Sequence, residues 1–125
     1  MVIPDTAIWI DFFRKKPNVF QKMRELLENR AILAVECIFG ELLQGCKDKE
    51  EIVVIKSYWQ NLPKVDQYNS FIEAGETSAT EKFLSKGIGL IDAVLIISLR
   101  RTKSKIWTLD KKLLSVLSKE EIYSP

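Results

Sequence analysis

The chain has no histidine, and that absence excludes more chemistry than any other feature of its 125 residues. Imidazole is the usual general base near neutral pH and the commonest protein ligand for zinc. Serine and cysteine triads, histidine-dependent nucleases and H-E-x-x-H zinc sites are therefore excluded. Long apolar runs are also missing. The longest, Ala93-Val94-Leu95-Ile96-Ile97, is far too short to span a bilayer, so no membrane partner is expected. With 5 glycines and 4 prolines and no Ser/Gly-rich stretch, nothing marks a linker or a low-complexity segment. Met1-Val2-Ile3-Pro4-Asp5 lacks a basic leader, so no signal peptide and a cytoplasmic location are expected. The two cysteines, Cys37 and Cys46, fall nine residues apart on what reads as one helix, about 13 Å, beyond disulfide reach.

What is present suits one soluble globular domain over residues 1–125, with 46% hydrophobic residues and 19 basic against 17 acidic side chains. Met1 to Pro4 reads as a short strand entering a helix capped by Asp5 or Thr6. Pro17 starts a second helix with Phe20, Met23, Leu26 and Leu27 on one face. Ala31 to Leu33 reads as a short strand, Val35 to Cys46 and about Lys49 to Trp59 as helices, and Leu62 to Val65 as an edge strand. Asp66 to Ser85 and Leu90 to Arg101 read as helices, Lys105 to Thr108 as a strand, Lys111 to Leu117 as a helix capped by Asp110, and Ile122-Tyr123 as a last strand. Strands separated by helices imply an α/β domain with a mainly parallel sheet, whose ligands bind at the carboxyl ends of strands beside a switch in strand order.

Four carboxylates fall at structurally similar places. Asp5 and Asp110 follow predicted strands, Asp92 follows Gly87-Ile88-Gly89 in a first helical turn, and Glu41 is set among Ile38, Phe39, Leu42 and Leu43. Aspartate at a helix start is also an ordinary cap worth about 1 kcal/mol. Asp92 likewise complements a helix dipole, whereas a carboxylate amid so much apolar sequence as Glu41 is expected to be paired or metal-bound. Four carboxylates meeting at one point would repel by roughly 4 kcal/mol per pair at 4 Å and require a cation. Oxygen ligands without histidine favour Mg²⁺, with Mn²⁺ as a substitute, whose partners are water and phosphate oxygens.

Several segments resemble a known family. Ile3-Pro4-Asp5-Thr6-Ala7-Ile8-Trp9-Ile10-Asp11 is similar to the opening of PIN-domain toxins of the VapC type, except that proline precedes the aspartate. Glu41-Leu42-Leu43-Gln44-Gly45, Ile91-Asp92-Ala93 and Thr108-Leu109-Asp110 are similar to that family's later acidic motifs, in order along nearly the whole chain. The resemblance implies a three-layer α/β/α PIN-like fold with a short central sheet flanked by helices. It also implies a Mg²⁺-dependent endoribonuclease with Asp5, Glu41, Asp92 and Asp110 as catalytic and metal-holding residues, and Thr6 and Thr108 as supporting hydroxyls. Glu36, about 140° from Glu41 around a helix, cannot enter the same pocket, and the Leu-Leu-Gln-Gly context selects Glu41.

Hydrolysis by water activated on a cation would leave 5′-phosphate and 3′-hydroxyl ends. With the four acids set aside, the 19 basic side chains face 13 acidic ones, leaving the rest of the surface at +6. Candidate RNA contacts are Arg14, Lys15 and Lys16, then Arg100, Arg101, Lys103 and Lys105, then Lys111 and Lys112. Asp11 is expected to pair with Arg14 or Lys15 at the surface. Further implied partners are a VapB-type antitoxin blocking the acidic pocket and a second copy in a homodimer, and structured RNA such as transfer RNA is the implied substrate. Trp59, Leu62, Tyr68 and Phe71 serve either those contacts or the core. The competing readings are a phosphorylatable receiver-like domain, for which Ile52 to Lys64 offers no aspartate, and a PIN-fold binding module with an inert pocket.

Overall fold

Pro4 governs how the sheet is assembled. In the computed structural model, which describes residues 1–125, strand β1 (Val2–Pro4) pairs in parallel with β2 (Lys105–Trp107), placing Val2, Ile3 and Pro4 opposite Lys105, Ile106 and Trp107. The ladder is extended at both ends, by Lys105 N–H to the Met1 carbonyl (3.1 Å) and by Asp5 N–H to the Trp107 carbonyl (3.0 Å). In a parallel ladder alternate residues address opposite neighbours, so Val2 and Pro4 face the segment 31–34 on the other side. Val2 makes both of its bonds there, N–H to Ala31 and carbonyl from Leu33. Pro4 has no N–H to give, and pairing on that side shrinks to a single bridge between Val2 and Ile32.

Two further single bridges, Ala34 to Lys64 and Ile106 to Ile122, are also parallel. Across the molecule the extended segments therefore run 62–65, 31–34, β1, β2, 122–123. In chain order that is third, second, first, fourth, fifth, so the winding reverses between β1 and β2. The expected strands at 31–33, 62–65 and 122–123 are thus present as one-residue bridges.

Around this sheet stand α1 (Thr6–Phe13), α2 (Pro17–Glu28), α3 (Glu36–Gln44), α4 (Lys49–Asn61), α5 (Ser70–Glu81), α6 (Leu90–Thr102) and α7 (Lys111–Val116), with 3-10 turns at Leu84–Lys86 and Lys119–Glu121. The chain is a mostly helical α/β protein with a two-stranded parallel sheet. Helix α1 packs on α2 and α3, α3 on α4, and α5 on α6. The first group closes over an aromatic cluster in which Trp9, fully buried, contacts Phe12, Phe13, Phe39 and Tyr58 at centroid separations of 5.3–6.0 Å. Helix α6 is buried at every position from Ala93 to Leu99, which accounts for its unbroken apolar run. No helix is long and apolar enough to cross a membrane.

The helix expected from Asp66 begins only at Ser70, because Asp66 Oδ1 accepts the Tyr68 N–H in a local turn and Asn69 is left-handed at φ 55°. It stops at Lys82, left-handed at φ 58°. Cys46 lies past the Gly45 cap that ends α3, so the two free cysteines do not share one helix as expected. Trp59 and Leu62 pack against the core, whereas Tyr68 and Phe71 are exposed.

Candidate active site

The reversal between β1 and β2 leaves a crevice at the carboxyl ends of these strands, and each strand delivers an aspartate to it. Asp5 follows β1 directly and caps α1, accepting the Ile8 N–H at 3.1 Å through Oδ1. Its other oxygen accepts the hydroxyl of Thr108, the residue after β2. Thr108 is 6% exposed, and its hydroxyl oxygen also accepts the Asp110 N–H at 3.0 Å. One buried hydroxyl thus ties the ends of both strands together. Asp110 caps α7 by accepting the Lys112 N–H at 2.9 Å.

Helices α3 and α6 bring the other two carboxylates. Asp92 stands in the first turn of α6, and Glu41 on the last turns of α3, where Glu41 Oε1 accepts the Thr6 hydroxyl at 3.0 Å. Asp5, Glu41, Asp92 and Asp110 line one cavity of about 470 Å³. Apolar walls come from Ile38, Ile91, Leu95, Leu109 and Leu113, and no lysine or arginine lines it. Glu41, expected to be paired or metal-bound, is exposed on the cavity's edge while its sequence neighbours Ile38, Phe39 and Leu42 turn inward. Glu36 does not line the cavity.

The electrostatics follow from this arrangement. Burial raises the Asp92 carboxyl above its ordinary value, and the negative charges of Asp110, Glu41 and Asp5 add to the effect. Burial also raises Asp5, against the Thr108 and Ile8 hydrogen bonds that favour its charged form. Cys37, one turn before Glu41, lines the same cavity, and burial together with the Glu41 charge pushes its thiol up to about 11. Sequence reasoning set Cys37 aside, although the four-residue spacing to Glu41 places both on one helix face.

Whether these residues suit a divalent cation is decided by their chemistry and their placement. The donors are hard carboxylate oxygens without an internal counter-charge, which matches Mg²⁺ or Mn²⁺. As placed, no three acidic or thiol side chains form a ready ligand group, so ligation by three of them requires side-chain rearrangement.

The basic candidates divide. Lys111 and Lys112 follow Asp110 at the cavity. Arg14 sits in a neighbouring groove of about 530 Å³ that shares Glu41 with it. Lys15 lines an aromatic depression with Phe12, Phe13, Phe20 and Tyr58, and Lys16 is exposed at the start of α2. Arg100 and Arg101 are engaged in ion pairs. Arg100 is held by Glu81 (2.8 Å) and Glu121 (2.9 Å), and Arg101 by Glu73 (2.7 Å), about 12 Å along α6 from Asp92. Lys103 caps that same far end, and Lys105 begins β2 there. Asp11 makes no ion pair. A comparison with models of protein families and with curated proteins gives no match.

Proposed function

We propose that this chain is a Mg²⁺-dependent endoribonuclease of the VapC toxin kind, with a three-layer PIN-like arrangement of its helices and sheet. The observation that carries the reading is the cavity at the reversal of strand order, which four carboxylates from four separate parts of the chain line without a basic side chain. Asp5, Glu41, Asp92 and Asp110 would hold the cation. When bound, Mg²⁺ supplies Lewis acidity toward a phosphodiester oxygen and lowers the pKa of water.

The chain's own residues set the geometry. The Ile8 N–H and the Thr108 hydroxyl fix both oxygens of Asp5, and the Thr6 hydroxyl fixes one oxygen of Glu41. Apolar walls come from the buried Leu95 and Leu113 and from Ile91 and Leu109, which remain exposed. Without imidazole there is no histidine base to deprotonate a ribose 2′-hydroxyl, so water is the expected nucleophile and the products carry 5′-phosphate and 3′-hydroxyl ends. A VapB-type antitoxin that blocks the cavity and a homodimer complete the proposal.

The test is cleavage of structured RNA with Mg²⁺, with EDTA, and with the Asp5→Asn and Asp92→Asn variants. Cleavage that requires Mg²⁺ and is lost in both variants is expected. Cleavage surviving both substitutions, or ending in 2′,3′-cyclic phosphates, overturns the assignment. A second reading, an inert PIN-fold binding module, is favoured by the lack of a ready ligand group. It predicts no cleavage by the unaltered chain.

A further inference from the structure

Lys112 lies against the backbone of Gly87. A β-carbon at position 87 would stand 3.2 Å from Lys112 Cδ and 3.6 Å from its Nζ. Gly87 has φ +79°, the region that favours glycine, and it ends the 3-10 turn Leu84–Lys86. Glycine here makes the turn and also leaves the space that the lysine stem occupies. Lys86, exposed, precedes Gly87 in the chain.

Both segments adjoin, along the chain, residues of the acidic cavity's wall. Asp110 and Leu113, on either side of Lys111 and Lys112, line it, as do Ile91 and Asp92, which follow Gly89. Neither Lys86 nor Lys112 takes part in an ion pair, unlike the arginines at the other end of α6. We infer that Lys86 and Lys112 form a phosphate-binding subsite for the RNA strand beside the cavity. The inference rests on the nuclease reading. A cavity of four acids repels a polyanion, and two ammonium groups on segments next to its wall would offset that repulsion for the phosphates flanking the one to be cut. Contact with Gly87 restricts the Lys112 stem before RNA arrives, so less rotamer entropy is lost on binding.

The experiment measures binding of a short single-stranded RNA in Mg²⁺ to the Asp92→Asn chain, which suppresses cutting. Adding Lys86→Ala and Lys112→Ala is expected to weaken binding on the order of tenfold and to lower the slope of log affinity against log salt by about 1.4, the loss of two single-strand phosphate contacts. Gly87→Ala, which crowds the Lys112 stem, is expected to give a smaller loss in the same direction, and Lys103→Ala none. Unchanged affinity and slope in the double-lysine variant overturn the subsite, as does an equal loss from Lys103→Ala. Cleavage by the unaltered chain separates the two claims. If it cuts RNA while the lysine variants bind normally, only the subsite falls, whereas a chain that neither binds nor cuts RNA removes the nuclease reading and the subsite with it.

Discussion

Asp92 stands in the first turn of α6 and Arg100 and Arg101 in its last, and the two ends of this buried helix are completed differently. At the far end each arginine meets a carboxylate within 2.9 Å, supplied by α5 and the C-terminal turn. At the near end four carboxylates line one cavity and no lysine or arginine lines it with them. Both ends suit the helix dipole, acid at the start and base at the end, so the dipole alone does not separate them. Completion does: the arginine pairs tie elements together, while the carboxylates at the near end are the ones that the proposed function assigns to a cation. The same buried helix thus has one finished end and one open end.

The comparison breaks most severely at the open end. Asp92→Asn is expected to lower Mg²⁺-dependent cleavage by at least about a thousandfold, or about 4 kcal/mol in the barrier, with the fold intact by circular dichroism. Thr108→Val comes next. It leaves the Asp110 N–H and one Asp5 oxygen without a partner and should cost about 10- to 100-fold in cleavage and about 1–3 kcal/mol in denaturant stability. Thr108→Ser should recover most of both.

The finished end should show the reverse pattern. Arg100→Ala removes a guanidinium shared by Glu81 and Glu121 and should destabilise by about 1–2 kcal/mol while leaving cleavage within about twofold. A smaller effect of opposite sign is expected from the acids. Asp5 and Asp92 have carboxyls raised above their ordinary value of 3.8, so the folded chain holds their protons more tightly than the unfolded chain does. Their contribution to stability therefore falls as pH rises from 3.8. In EDTA, Asp92→Asn should melt slightly above the unaltered chain at neutral pH, and the difference should vanish below 3.8. Thermal melts across pH check this, and a variant that melts lower at neutral pH would contradict it.

The sequence made much of the open end legible because its signals are local. An aspartate after a short apolar strand reads as a cap and as a ligand alike, and Asp5, Asp92 and Asp110 all stand where strand and helix boundaries put them. Glu41 was placed on the right helix, but its apolar neighbours in sequence were taken for neighbours in space. Helical periodicity sends Ile38 and Leu42 inward and leaves Glu41 at the edge. The ion pairs of the finished end were not legible because the partners are distant: Glu73, Glu81 and Glu121 lie 28, 19 and 21 residues from the arginines they hold. A basic run carries no sign of such pairing. The strand at 31–33 faded to a bridge for the reason seen at Pro4, a missing donor that composition alone does not translate into register. Lys86 and Gly87 gave no motif, since only the fold brings them beside Lys112.

Cation binding at the open end is the most direct measurement of the central claim. Mn²⁺ titrated into the metal-free chain, followed by the loss of the free-ion electron paramagnetic resonance signal, should show saturable uptake in the unaltered protein and in Arg100→Ala. Uptake should be lost or strongly weakened in Asp92→Asn. Equal uptake by the unaltered chain and Asp92→Asn, or no saturable uptake by either, would contradict the account.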